Sequence, residues 1–203
     1  MIVTIAAAYG AGGSQVAPAL AQELGVPLLD RPLVSDEADE PNQRRLLSRL
    51  GSLATAWGTP AGLSTEELLP DDDRRREFER EVKAFAAGGS GVILGRAATR
   101  LLRKDPRALH VLLDGPREAR LEQAMAIQGI DRQTAERRLE RTDRFRHAYV
   151  ALYGIDVREP GVFHLVLDST SIPLEDCVKL IAAAALMRED RLRAGGELDP
   201  PTA

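Results

Sequence analysis

The residues best suited to chemistry stand near the start of the chain. Gly10, Gly12 and Gly13 fall within four residues, with Ala11 between them and Ser14 and Gln15 after them. Glycines this dense allow positive φ and close backbone approach. Residues 2–5, Ile-Val-Thr-Ile, read as a buried strand before them, and Val16, Ala17, Leu20, Ala21 and Leu24 follow at helical spacing. Gly25 ends that run as a C-terminal cap. Strand, glycine loop and helix in this order aim backbone N–H groups at one point, which suits a phosphate. The motif is incomplete. A Walker A loop closes on Gly-Lys-Ser/Thr, whereas this one reads Gly12-Gly13-Ser14-Gln15. A dinucleotide-binding fingerprint, with Asp30 on the ribose, needs a glycine or alanine where Gln15 stands. On spacing alone, a tight turn without a ligand competes with the phosphate reading.

Cationic charge for such a loop has to come from elsewhere. Arg96 follows the apolar residues 91–94 and Gly95, and a later run holds Arg132, Arg137, Arg138, Arg141, Arg144 and Arg146. A forked guanidinium matches phosphate oxygens. Each arginine also has a plainer use. Arg96 could pair with an acid at a sheet edge, and the run, which contains Glu136, Glu140 and Asp143, could be a solvated, ion-paired helix face. Asp30 and Asp114 are the carboxylates available to Mg²⁺, which often needs only one or two. His110, His147 and His164 show no ligand spacing, and no Ser-His-Asp or Cys-His set is evident, so metal ligands stay unassigned. Asp168, Ser169 and Thr170 read as a cap for the final helix.

The elements that must position these residues alternate. Strands are expected at residues 2–5, 26–29, 91–94, 110–113 and 162–167. Helices are expected at 16–24, 74–87, 97–103, 117–128, 131–152 and 172–191. This alternation predicts an α/β fold of three layers, a five-stranded parallel sheet flanked by helices. Ligands bind such sheets at the carboxyl ends of the strands, so the loop, Asp30, Arg96 and Asp114 are expected along one edge. Residues 31–73 differ in character, with acids at 36, 37, 39 and 40 and repeated Gly and Pro breaks, and read as short helices and loops over the core. Trp57 is expected as a local core plug there. Residues 1–193 read as one domain, and 194–203, with Gly-Gly and Pro-Pro, as a disordered tail.

Composition bounds the partners. A formal net charge of −4 over 203 residues supplies no basic field for nucleic acid. Cys177 is the lone cysteine, so no intramolecular disulfide forms, and a reducing cytoplasm is the expected location. The N-terminal apolar run lacks a basic flank and is not expected to be a signal peptide. The longest apolar run, residues 180–187, is too short to span a bilayer. The expected ligand is a nucleotide or phosphate, with a protein partner for the acidic segment or the tail left unspecified.

In order and spacing, the chain resembles the cytidylate kinases, and more closely their cytidylate-kinase-like branch, over about residues 1–187. The carriers are Val3-Thr4-Ile5 with Tyr9-Gly10-Ala11-Gly12-Gly13, Leu29-Asp30-Arg31, Val92-Ile93-Leu94-Gly95-Arg96, His110-Val111-Leu112-Leu113 with Arg120, then Arg141, Asp143, Arg146 and Tyr149, and finally Leu165-Val166-Leu167-Asp168-Ser169-Thr170. The resemblance implies a P-loop kinase fold and phosphoryl transfer from ATP, with Mg²⁺, to CMP or dCMP. It implies that Gly10, Ala11, Gly12, Gly13, Ser14 and Gln15 form the phosphate loop. It implies that 31–73 is the monophosphate-binding insertion and 131–160 a lid-like segment. Asp30, Arg31 and Arg96 would meet the substrate, and Arg96, Arg141, Arg144 and Arg146 would act in catalysis. The departures fall on the same positions. The loop lysine and threonine of authentic enzymes fall on Gly13 and Gln15, and the arginine of the kinase-like branch falls on Ser14. Two aspartates around the Gly-Arg pair fall on Leu94 and Ala97, and a lid aspartate and arginine fall on Phe145 and Ala148. The alternative implied by these losses is a catalytically inactive nucleotide- or phosphate-binding regulator.

Overall fold

The computed structural model describes residues 1–30, 72–95, 97–153 and 160–196. Arg31, Trp57, Arg96, nearly all of the 31–73 insertion and residues 197–203 of the expected tail lie outside the described residues.

The first strand, β1 (Ile2–Ala7), runs into the glycine loop and α1 (Gly13–Leu24). Then come β2 (Leu28–Leu29), α2 (Asp72–Ala87), β3 (Gly91–Leu94), α3 (Ala98–Leu101) and β4 (Ala108–Asp114). The chain continues through α4 (Arg117–Gln128), α5 (Arg132–Ala151), a 3₁₀ turn at Pro160–Val162, β5 (Leu165–Asp168) and α6 (Leu174–Arg193). All four strand pairings are parallel, in the order β2-β3-β1-β4-β5. β1 is therefore central, and the loop that follows it opens at the middle of the carboxyl edge. Strands covered on both faces read as unbroken apolar runs, and for that reason β1, β3 and β4 were visible in the sequence.

Alternation along each strand sorts the core into two faces. Val3, Ile5, Val92, Leu94, Val111 and Leu113 pack with α1 and α6 through Val16, Leu20, Cys177 and Ile181. Burying each such aliphatic side chain stabilises by about 1.5–3 kcal/mol. Cys177 lies wholly inside this layer as a small apolar residue. The opposite face carries Ile2, Ile93 and Ala108 against Val82 and Ala86 of α2 and Leu102.

β1 and β4 run longer than expected, and two strands start later. β5 begins at Leu165, not 162, because the 3₁₀ turn precedes it and Phe163 is buried. β2 shrinks to two residues, since the Val26 N–H bonds Ala21 O and Pro27 has no N–H to offer a ladder. Two of the three histidines, scattered in sequence, are brought together. Thr4 and His110 are register partners, with Thr4 Oγ1 2.7 Å from His110 Nδ1. The His110 N–H donates to His164 Nδ1 at 2.9 Å, and the two rings stack at 5.0 Å. Among the described residues no helix is long and apolar enough to cross a membrane.

Candidate functional site

The loop between β1 and α1 is turned inside out relative to an ordinary turn. Its carbonyls face the protein and are all taken. Ala8 O accepts from the Ala11 N–H (3.0 Å), Tyr9 O from an Arg120 NH1 (2.8 Å) and Gly10 O from Gln123 Nε2 (2.8 Å). Ala11 O accepts from the Ser169 hydroxyl (2.8 Å), and Gly12 O from the N–H groups of Gln15 and Val16. The N–H groups of Gly10, Gly12, Gly13 and Ser14 have no acceptor among the described residues. Gly10 and Gly12 take φ of +78° and +71°, which makes this inversion possible. Four amides of one short loop, at the positive end of α1, are thus left for an outside acceptor, as an anion site requires.

The scaffold behind the loop fixes it. Arg120, in the first turn of α4, is 9% exposed and also reaches Gly115 O, Asp114 (3.3 Å) and Asp143 (2.9 Å). Asp143 of α5 accepts from the Tyr9 N–H at 3.1 Å and meets Arg146 at 3.1 Å. Burial alone would raise the Asp143 carboxyl. The Arg146 charge, the Tyr9 N–H and Arg120 outweigh it and hold the carboxyl below its usual value. Ser169 joins from the end of β5, so the expected cap is divided. Asp168 caps the turn at Thr170 and Ser171, while Ser169 holds the loop. Ser169→Ala is expected to cost about 1–2 kcal/mol, because it leaves the buried Ala11 carbonyl unsatisfied. Urea unfolding of the variant measures this, and an unchanged midpoint would show the bond to be dispensable.

The other sequence candidates distribute along the same edge. Asp30 follows β2 and is exposed. Asp114 ends β4 beside the loop. Gly95 closes β3, its N–H on Ile5 O, and Ala97 adopts φ +52°, a left-handed conformation that costs a non-glycine residue about 1–2 kcal/mol. Such strain gathers at functional sites, and this turn flanks the position of Arg96. Of the α5 arginines, Arg146 is half-buried against Asp143, whereas Arg141 and Arg144 are exposed. Arg132 is ion-paired with Glu118 and Glu136, while Arg137 and Arg138 donate to Thr134 and Gln128. Ser14 and Gln15 are exposed at the loop rim.

Sequence reasoning did not tie Arg120, Gln123 or Asp143 to the loop, and it gave Ser169 only a capping role. Arg120 and Asp143 carried the family resemblance, and that was the available signal. Their pairing across 23 residues depends on how α4 and α5 pack. Among the described residues no three His, Cys, Asp or Glu side chains gather as a metal centre. A dedicated protein cage is not what Mg²⁺ needs when phosphates share its coordination, and Asp114 fits as a single carboxylate beside the loop.

Comparison with known proteins places this geometry. The chain is 26% identical to a cytidylate kinase of Pyrobaculum aerophilum over 182 residues, covering 89% of this chain and 90% of the relative. It is 30% identical to a cytidylate kinase of Aeropyrum pernix over 143 residues, 68% and 83% of the respective chains. Among solved structures, an uncharacterized protein from Eubacterium ventriosum superposes with a TM-score of 0.66 at 19% identity, covering 91% of this chain and 98% of that one. A gluconokinase from Sinorhizobium meliloti gives 0.55 at 19% identity, covering 95% of each chain. These two share the fold. The pattern of the cytidylate kinase-like family matches residues 2–171, and the chain belongs to that family.

Proposed function

We propose that this protein is a nucleotide phosphotransferase that moves the γ-phosphoryl group of ATP to a nucleoside monophosphate such as CMP or dCMP. The observation that carries the reading is the inverted loop, with every carbonyl engaged by the protein and four amides left without an acceptor among the described residues. A triphosphate laid on those amides meets the α1 N-terminus and gains charge-assisted hydrogen bonds. An oxygen of the acceptor phosphate attacks the γ-phosphorus, and ADP departs. Such transfer is mostly positioning and charge stabilisation.

The loop itself supplies no cation, because Gly13 stands at the lysine position. Arg146 is the α5 guanidinium held one carboxylate away from Tyr9, and it takes the role of stabilising charge on the transferring group. Arg96, next in sequence to the strained Ala97, is its proposed companion, with Arg31 and Asp30 proposed for the acceptor. Arg141 and Arg144 would serve from the exposed flank of α5. Asp114 would hold Mg²⁺, which supplies charge neutralisation at the β- and γ-oxygens when bound.

The test is ADP release with Mg-ATP against a panel of nucleoside monophosphates, for the natural chain beside Gly13→Lys/Gln15→Thr. The natural chain is expected to turn over with a pyrimidine monophosphate, and Arg146→Ala or Arg96→Ala to lower the rate by ~10²–10³. If neither the natural chain nor the restored loop releases ADP, a binding-only protein replaces this reading. Thermal stabilisation by NAD but not by ATP would point instead to a dinucleotide site.

A further inference from the structure

We infer that Asp143 is the positioning residue that sets the phosphate loop and couples it to the arginine-bearing helix α5. This rests on the reading of the loop as a phosphate site. The argument begins with the Tyr9 residue, whose two backbone polar groups are both gripped from outside the loop. Its N–H donates to Asp143 Oδ1 at 3.1 Å, and its carbonyl accepts from Arg120 at 2.8 Å. Arg120 and Asp143 are themselves joined at 2.9 Å, so the peptide groups of Tyr9, the guanidinium and the carboxylate form one closed ring of hydrogen bonds. A backbone segment held at both donor and acceptor cannot rotate. The direction of the next amide, that of Gly10, is therefore fixed by Asp143 and Arg120.

The same carboxylate also meets Arg146, and it does so through the oxygen that takes the Tyr9 N–H. One oxygen atom thus places a loop peptide on β1–α1 and a guanidinium on α5. Any displacement of α5 that moves Arg146 releases the Tyr9 N–H as well. Arg120 and Arg146 thus both set a guanidinium on one carboxylate, close to amides that already attract anions. Asp114 draws on Arg120 from the other side at 3.3 Å but is half exposed, so its countercharge is screened by solvent. Without the carboxylate, two guanidiniums would face each other with no shared anchor, and Arg120 would lose its most enclosed partner. Neutral hydrogen bonds from Gln123 and Ser169 hold Gly10 and Ala11, and the Tyr9 hydroxyl donates to Gln128 Oε1 at 3.0 Å, but the Tyr9 backbone rests on the charged pair.

The experiment compares the natural chain with Asp143→Asn and Asp143→Ala. Binding of inorganic tripolyphosphate and of Mg-ATP is measured by calorimetry, and amide hydrogen exchange is followed across residues 2–16. Asp143→Asn keeps the shape and an acceptor for the Tyr9 N–H but removes the charge that holds both arginines. Affinity for tripolyphosphate is expected to fall at least tenfold in both variants. Exchange at Tyr9 is expected to quicken at least tenfold in Asp143→Ala, while Val3, Thr4 and Ile5 keep their natural protection. Loss of protection spread equally over β1 would mean that Asp143 serves only global stability and would overturn the inference, as would unchanged affinity in both variants. If the natural chain binds neither tripolyphosphate nor ATP, the phosphate reading fails, and the exchange pattern still decides whether Asp143 sets the loop. If Asp143→Ala does not fold, Asp143→Ser, which also removes the carboxylate, takes its place in both measurements.

Discussion

Gly10→Ala is expected to destabilise the protein by about 2–5 kcal/mol and to abolish phosphate binding with it. Two separate costs add. Gly10 sits at φ +78°, where a side-chain-bearing residue pays about 1–2 kcal/mol. Its missing Cβ would lie 2.1 Å from the Arg120 carbonyl oxygen and 2.8 Å from the carbonyl carbon. Both are backbone atoms inside the first turn of α4, so no rotamer change relieves the clash, and overpacking of this kind costs about 1–3 kcal/mol more. Gly12→Ala is the informative comparison. Its Cβ would meet Leu174 Cδ2 at 2.6 Å, the movable end of a side chain, so its excess over the φ penalty is expected to be smaller. Urea unfolding of the two variants reads the difference directly. A Gly10→Ala penalty below about 1 kcal/mol would mean that α4 can withdraw from the loop, which the left-handed cost alone already makes hard to reach.

That close approach explains what could and could not be read from the residues. The strand–loop–helix unit was legible because its signals are local: β-branched residues, glycines, then the spacing of Val16, Leu20 and Leu24. The order of strands, the partner of each loop carbonyl and the grip on Tyr9 were not, because they depend on contacts such as Arg120 to Asp143 and Ser169 to Ala11, the latter 158 residues apart. The histidines make the same point. His110 and His164 share no spacing that signals a pair, and it is the β4–β5 register that stacks them.

The departures from authentic cytidylate kinases acquire a physical sense in the fold. The resemblance puts aspartates on the positions of Ala97 and Phe145. Both are apolar here, and they lie in one buried cluster with Tyr149. Phe145 and Tyr149 stack with ring centroids 6.1 Å apart, and Tyr149 meets Tyr153 edge-on at 5.5 Å. Had one aspartate been kept and the other lost, a carboxylate would have faced hydrocarbon, which is costly unless it is paired. Changed together, the two positions exchange an acidic site for an apolar seam that docks α5 onto the β3–α3 turn. Asp143 then stands as the acid of α5 that faces the loop, with Arg146 directed by it.

Acid is expected to begin destabilising the protein well above the pH at which its carboxylates are protonated. His110 is fully buried, and desolvation, reinforced by His164 and Arg188 and opposed by the Leu102 backbone and Asp105, lowers its pKa to about 3. Its other close neighbours, Thr4 and Thr99, are neutral. An unfolded histidine titrates near 6.5, so between that value and about 3 the unfolded chain binds one proton more than the folded chain. Stability therefore rises with pH across this window and falls as pH drops through it, by about 1.4 kcal/mol per pH unit and roughly 4–5 kcal/mol in all. That is a large share of the ~5–15 kcal/mol that holds a domain together. Asp105 and Asp143, whose carboxyls are held low in the fold, add losses in the same direction, but only as pH falls below the ordinary carboxylate range. The two contributions separate on the pH axis. Urea midpoints taken from pH 7.5 to 5 report the histidine, and those below 4 report the acids. His110→Asn keeps a polar atom for Thr4 and removes the titrating ring, so its midpoint is expected to stay nearly flat between pH 6.5 and 5 while that of the natural chain declines. Parallel decline in the two proteins would assign the acid sensitivity to a group other than His110.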